Sequence, residues 1–401
     1  MINEMSGGIT AAAGYSVAGV HAGLKKSRKD MALIVSRQPA ATAALFTTNK
    51  VVAAPVEIDR DQLAKNPYQQ AILINSGSAN ACTGRQGLED ARSCIRAVAE
   101  MLKINPESVL VASTGVIGQP LKMDIMHRGI QLAGKHLKPH YHLDAAQAIM
   151  TTDTFPKEYA VRFSIQDHPV SIGGMAKGSG MIKPNMATML GFITTDACLS
   201  PDLLQSLLRE AVESSFNRIS VDNDTSTNDM VVLMANGLSS ASEIKPDTPA
   251  CELFRDGLVQ VCQALAKMIV RDGEGATKLI EIRVQGARTR EEALQAARSV
   301  ADSMLVKTAI HGEDANWGRI IAAVGYSGIE FQPDRIRLSI GGMDILLPGY
   351  QVVYQEEAVL PILQQSEISL CLDLNQGSES ERVWTSDLSK DYITINAHYR
   401  S

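Results

Sequence analysis

The stretch GGMAKGSGMIKPNMATMLGFITTDA, residues 173–197, sets Lys177 among glycines and follows it with an apolar run that opens at Thr188. A lysine among glycines is what a phosphate cradle uses. Such a loop needs G-x-x-x-x-G-K-[ST], with a helix after the lysine and a hydroxyl to hold magnesium. Here the order is Lys177-Gly178-Ser179-Gly180, then Pro184 and the apolar Met189, Leu190, Phe192 and Ile193. Gly173, Gly174, Gly178 and Gly180 also miss the dinucleotide-binding spacing. A glycine-rich connection between strands accounts for the glycines but not for Lys177. A threonine opening an apolar run is also an ordinary β-branched strand former, so the pattern alone leaves its role open.

Two other places could bring backbone close to a ligand. An apolar run at Ala71–Asn75 leads into NSGSANACTG (75–84), and one at Val109–Ala112 leads into STGVIG (113–118), which holds Thr114 and Gly115. Strands that end in small, hydroxyl-rich loops leave the main chain accessible. Glu274 stands between two glycines in RDGEGATK (271–278). The eight histidines show no ligand spacing, and HLKPHYH (136–142) reads as a solvated loop. VDNDTSTND (221–229) carries three acids but lacks a calcium loop with its closing glutamate, and reads as a packed polar turn. No metal or organic cofactor is expected.

The elements that must position these residues are partly legible. GLEDARSCIRAVAEMLKI (87–104) places Ala91, Cys94, Ile95, Val98, Met101 and Leu102 on one helical face. SPDLLQSLLREAVESSFN (200–217) has Ser200 as N-cap and Pro201 at the first helical position. EYAVRFSIQDHPVSIGGMA (158–176) alternates as a hairpin turning at Asp167-His168. Beyond residue 280, KLIEIRVQG, RIRLSIGG and EISLCLDLNQG alternate as strands, with a helix over REEALQAARSVADSML (290–305). The expected division is a main domain over 1–279 and a smaller α/β domain over 280–401.

A net charge of −6 over 401 residues argues against nucleic-acid binding, since no basic excess can neutralise phosphates. The basic cluster GLKKSRKDMA (23–32) reads as a solvated loop. No run is long enough to span a membrane, and the N-terminus carries no secretory pattern. Six cysteines without CxxC spacing read as reduced thiols, which places the protein in the cytoplasm.

Taken together, several segments carry a resemblance. GGITAAAGYSVAGVHAGLKKSRKDMALI, NSGSANACTG, ASTGVIG, MTTDTFPK, the 173–197 stretch, VDNDTSTND, VRDGEGATK, VKTAIHGEDANWGRIIAAVGYSG and the terminal YITINAHYRS run in order through nearly the whole chain. The sequence resembles the ornithine acetyltransferases, the bifunctional glutamate N-acetyltransferases of arginine biosynthesis. It departs from the usual wording at Ala12, Ser78 and Asn223, where proline, asparagine and glycine are common.

The resemblance implies an α+β fold: a layered αββα main domain of the N-terminal-nucleophile type, with a smaller α/β C-terminal domain. It implies self-cleavage between Ala187 and Thr188, so that Thr188 becomes a nucleophile carrying its own α-amine as base. It puts an oxyanion hole at Thr114 and Gly115. Substrate contacts are implied at Thr154, Lys177, Thr188, Glu274, Asn396 and Ser401, the last on a tail returning to the site. The implied donor is N-acetylornithine and the acceptor glutamate, with acetyl-CoA left open as a second donor, in an α2β2 heterotetramer of cleaved chains. The rivals are a hydrolase or aminopeptidase of the related fold and a non-catalytic nucleotide-binding protein.

Overall fold

A computed structural model describes residues 1–183 and 189–398. Among the described residues the chain divides into two units, the first built from residues 1–217 and 224–269, the second from 218–223 and 270–398. The 279/280 division expected from the sequence marks instead the start of a strand at Leu279.

The N-terminal strands are β1 (Asn3–Met5), β2 (Tyr15–Val20), β3 (Met31–Phe46), β4 (Tyr68–Ser78) and β5 (Val109–Val116). They are followed by β6 (Lys157–Ile165), β7 (His168–Lys177), β8 (Leu190–Thr195), the short β9 (Ile219–Ser220) and β10 (Met230–Ala235). Helices α1 (Ala54–Lys65), α2 (Gly84–Leu102), α3 (Met123–Lys135), α4 (His142–Ile149), α5 (Pro201–Glu213) and α6 (Pro249–Arg271) connect them. The sheet order in the first unit is β1-β6-β7-β8-β10-β3-β4-β5, with β2 also on β3. Strand β3 does two jobs. Its first half pairs with β2 and β4, its second half with β10, and its register against β4 shifts between Val35 and Ala40, around Pro39.

The bent β3 thus joins two leaves that share one core. Ile72, Ile74, Leu110 and Ala112 from one leaf cluster with Met175, Leu190, Phe192, Met230 and Val232 from the other. The intervening residues of β4 and β5, Leu73, Val109 and Val111, point the other way and pack with α2 and α3. Outside the second leaf, α6 brings Leu265 against Gly174, and its Gly257 lies against Phe163 and Ile172. Gln205 of α5 bonds both the N–H and the carbonyl of Ala44. The layers run α–β–β–α, as the resemblance implies. Helix α1 also covers the open edge of β5: Asp59 accepts the Val111 N–H (3.0 Å) and Gln62 donates to the Val109 carbonyl (2.8 Å).

Local expectations hold at several points. The Ser200 hydroxyl accepts the Leu203 N–H at the start of α5. Strands β6 and β7 form the hairpin, but its turn is Gln166-Asp167, both at positive φ, one residue before the expected Asp167-His168, and His168 pairs with Ile165.

In the second unit, β9 is joined by β11 (Leu279–Ala287), β12 (Arg337–Ile340), β13 (Met343–Leu347), β14 (Gln351–Val352), β15 (Glu367–Asp373) and β16 (Glu379–Ser386). Their order is β14-β13-β12-β15-β11-β16-β9. Ile280, Ile282 and Val284 meet Leu338, Ile340, Leu370 and Leu372 in a core closed by α7 (Arg290–Asp302), α8 (Met304–His311), α9 (Trp317–Gly325) and α10 (Glu356–Leu363). The helix expected over 290–305 breaks after Asp302, because the Ser303 hydroxyl caps a new helix by accepting the Val306 N–H. Helix α11 (Lys390–His398) ends the described chain. Asn223, the departure from glycine, has φ +70°, a conformation asparagine tolerates, and donates to the Asp302 carbonyl (3.2 Å).

Candidate active site

Strands β4 and β5 run parallel, and their register carries Gly77 opposite Gly115. Gly115 has φ +128° and Gly77 +116°. A Cβ on Gly115 would lie 2.5 Å from the Gly77 carbonyl carbon, so Gly115 needs glycine for conformation and for space, and Gly77 for its conformation. The approach is braced on both strands. Ser113 Oγ donates to Asn75 Oδ1 (2.7 Å), Asn75 Nδ2 donates to the Ser78 carbonyl (2.9 Å), and Ser76 Oγ donates to the Ala148 carbonyl (2.6 Å). A threonine hydroxyl and the next backbone N–H, on a strand end that cannot shift, are suited to receive a developing oxyanion.

The glycines before Lys177 are strand residues. Gly173 lies inside β7, where a Cβ would strike the Gly8 carbonyl. They admit neighbouring chain and helix, not a phosphate. Lys177 ends β7 opposite Leu190 of β8 and is 3 % exposed. Ser179 and Ile182 are also buried, so the glycine-rich connection is packed where it leaves β7. Ala187 and Thr188 lie outside the described residues.

Around Lys177 is a charged cluster that sequence reasoning missed. Asp153 Oδ1 accepts Lys157 Nζ (2.7 Å) and the Gly178 N–H (2.7 Å), and Oδ2 accepts the Thr151 N–H (2.8 Å). Asp153 and Lys157 are essentially solvent-free. Burial pushes the Asp153 carboxyl up, but Lys177 and Lys157 outweigh it and hold the group well below the usual carboxylate range. Thr154 follows directly and is exposed. Lys25, from the basic cluster read as a solvated loop, instead turns inward: its Nζ donates to the Lys29 and Met150 carbonyls. Burial lowers it to about 8, against the pull of Asp30 and Asp153 and with the help of Lys177. The acid that follows the cluster, Asp30, folds that loop by accepting the N–H groups of Ala22, Gly23 and Lys25.

In the second unit, Glu274 is 8 % exposed and accepts Asn396 Nδ2 at 2.8 Å. The two residues named from the resemblance in this unit therefore touch, although 122 positions separate them. Their loop is pinned by Asp387, which accepts the Thr277 and Lys278 N–H groups (2.8 and 2.9 Å), the Thr277 hydroxyl and His311 Nδ1 (2.7 Å). Burial raises the Asp387 carboxyl, but the Thr277 and His311 hydrogen bonds bring it below its ordinary value. Ser401 lies outside the described residues.

The other polar candidates have structural roles. His142 heads α4 and reaches Glu158 (2.8 Å), so the end of the 136–142 stretch is not a solvated loop. Cys94 and Cys262 are core thiols pushed up to about 12 by burial. Among the described residues no helix is long and apolar enough to cross a membrane, and no cluster of three or more His, Cys, Asp or Glu could hold a metal ion.

Comparison with known proteins follows the same lines. The sequence profile of the ArgJ family matches residues 16–401. The chain is 51 % identical over 400 residues to the arginine biosynthesis bifunctional protein ArgJ of Symbiobacterium thermophilum, covering 99 % of each chain. It is 47 % identical to the protein of that name from Listeria monocytogenes, again over 99 % of each. A crystal structure of arginine biosynthesis bifunctional protein ArgJ from Bacillus halodurans superposes with TM-score 0.52 at 45 % identity, covering 53 % of this chain and all of that one. The chain belongs to the ArgJ family.

Proposed function

We propose that this protein transfers an acetyl group from N-acetylornithine to glutamate through an acetyl-threonine intermediate, as one step of arginine biosynthesis. The observation that carries the reading is the kinship at 51 % identity across 99 % of both chains with a bifunctional arginine-biosynthesis protein. In this reading the chain cuts itself between Ala187 and Thr188. The Thr188 hydroxyl attacks the acetyl carbonyl while its α-amine takes the proton. The oxyanion is held by the Thr114 hydroxyl and the Gly115 N–H; the amide C–N bond then breaks and ornithine leaves with the proton. The amine of glutamate next attacks the acyl ester and restores Thr188.

Lys177, with Thr154 beside Asp153, binds a substrate carboxylate, and the Glu274–Asn396 pair binds an ammonium group. Ser401 completes the site from the tail. No metal or organic cofactor takes part. The cut gives pieces of 187 and 401 − 187 = 214 residues. The solved Bacillus halodurans chain supports this reading, because its whole length is matched by 53 % of this one, about 0.53 × 401 = 213 residues. The pieces assemble as an α2β2 heterotetramer in the cytoplasm, and neither nucleic acid nor membrane is a partner. The relatives' description as bifunctional favours acetyl-CoA as a second donor.

Intact-mass analysis of the purified protein tests the cut: two fragments meeting at 187/188 are expected, and one uncut chain for Thr188→Ala. Assays with N-acetylornithine or acetyl-CoA plus glutamate then assign the donors. Acetate release that glutamate cannot outcompete would instead make the protein a hydrolase. An uncut chain stabilised by nucleotides would remove the acetyltransferase reading altogether.

A further inference from the structure

Strands β8 and β10 run parallel and begin together, with Leu190 opposite Met230. Just before that pair, Met189 is held at both ends. Its carbonyl accepts the Met230 N–H (3.2 Å), and its N–H donates to Oδ1 of Asp229 (2.8 Å). Met189 N is the nitrogen of the Thr188–Met189 peptide bond, so this carboxylate grips the peptide group to which Thr188 contributes its carbonyl. Asp229 is 1 % exposed. Burying a carboxylate is costly, and one spent on a strand-end N–H gives a short, strong, directional hold.

The preceding residue reaches the other strand. Asn228 Nδ2 donates to the Ser113 carbonyl (2.8 Å) and to the Ala79 carbonyl (2.6 Å), and its Oδ1 accepts the Thr227 hydroxyl. Ser113 immediately precedes Thr114 and Gly115. The dipeptide is itself anchored from behind: the Asp229 carbonyl accepts the Thr47 N–H (2.9 Å) and the Thr227 carbonyl accepts the Ala53 N–H (3.0 Å). In the sheet order β10, β3 and β4 intervene between β5 and β8. Ladder hydrogen bonds therefore fix the distance between these two strand ends only through a long series of pairings. The side chains of two adjacent residues fix it directly.

We propose that Asn228-Asp229 is a clamp that sets the nucleophile against the oxyanion donors, with Asp229 a positioning residue for Thr188. This rests on the acetyl-transfer reading above. Oxyanion stabilisation depends on donors held in place before charge develops, and a shift of about 1 Å costs on the order of 100-fold in rate. A buried carboxylate beside the Thr188 peptide group also favours the protonated form of a nearby amine. Removing that charge alone moves the amine's titration to lower pH.

The test uses the full chain with Asp229→Ala, which removes the acceptor, and Asp229→Asn, which keeps an acceptor oxygen but not the charge. Cutting at 187/188, kcat, KM and the pH profile of kcat are measured beside the parent and Thr188→Ala. Expected for Asp229→Ala is a kcat roughly 100-fold lower, with KM within about threefold of the parent. Asp229→Asn should recover kcat to within about tenfold, with the acid limb of the profile lower by roughly one pH unit. A kcat for Asp229→Ala within about threefold of the parent overturns the clamp. So does an Asp229→Asn profile whose acid limb stays in place, and this variant decides alone if the alanine protein does not fold. A parent without transfer activity, or a Thr188→Ala protein that retains it, would instead overturn the acetyl-transfer reading.

Discussion

Replacing Gly115 by alanine separates a catalytic glycine from a merely structural one. The new Cβ would lie 2.5 Å from the Gly77 carbonyl carbon, where ordinary contact begins at 3.4 Å, so the two backbones must part by about 3.4 − 2.5 = 0.9 Å. Holding a non-glycine residue at φ +128° costs about 1–3 kcal/mol, and the displacement adds strain of similar size. A stability loss of about 2–6 kcal/mol follows, readable in urea unfolding. The same displacement carries the Gly115 N–H off its position. Loss of one oxyanion donor lowers kcat by roughly 100- to 1000-fold, about 2.7–4 kcal/mol. The assay is steady-state acetyl transfer per folded molecule, with unfolding followed on the same preparation. Two outcomes count against the reasoning. Unchanged stability would mean that the Gly77–Gly115 approach is not as tight as described. Lost stability with a parental kcat per folded molecule would leave the packing intact and take the oxyanion role from Gly115.

Other perturbations bear on the charged clusters. Asp153→Ala takes the carboxylate away from the fully buried Lys157 ammonium and should destabilise the protein by about 3–5 kcal/mol in urea unfolding. Lys25, lowered to about 8 from 10.5, binds fewer protons in the folded than in the unfolded chain between those values, so its cost to stability falls as pH rises through that window. The difference in Tm between Lys25→Met and the parent should therefore shrink from pH 7.5 to 10.5; a constant difference would count against an inward-facing Lys25. Glu274→Gln keeps a partner for Asn396 but removes the charge, and should raise KM for N-acetylornithine roughly tenfold or more with kcat little changed.

What the sequence disclosed and what it hid divide by range. Ser200 and Pro201 announced α5 because a cap is a local bond between neighbours, and Val161, Phe163 and Ile165 announced one side of the hairpin because period 2 is local as well. Strand β3 had no such signature: Ser36, Arg37, Gln38 and Pro39 interrupt its apolar pattern at the point where it bends from one leaf into the other. At the site, Gly115 was named through a resemblance, but the reason for a glycine there is the backbone of Gly77 on another strand. Glu274 and Asn396 were named separately, and nothing in either segment said that they touch. Asp153, Asn228 and Asp229 lay in segments that had been quoted, yet their partners Gly178, Ser113 and Met189 are distant in sequence. Lys25 was misread because a run of basic residues is usually solvated. Its amine faces inward because Asp30 curls the loop around itself.

The strand order has a consequence for a divided chain. Strands β8 and β10 come after residue 188, yet they sit between β7 on one side and β3 on the other, both of which come before it. A cut at 187/188 would leave two polypeptides dovetailed through a single sheet, each strand of the wedge bonded to a neighbour from the other piece. Such halves need no covalent tether to stay together, because separating them would bare two ladders of main-chain groups at once. Made separately, each half would present raw edges and be prone to aggregate. Made together, they should find one another and restore the whole, which makes this a protein fit for fragment complementation.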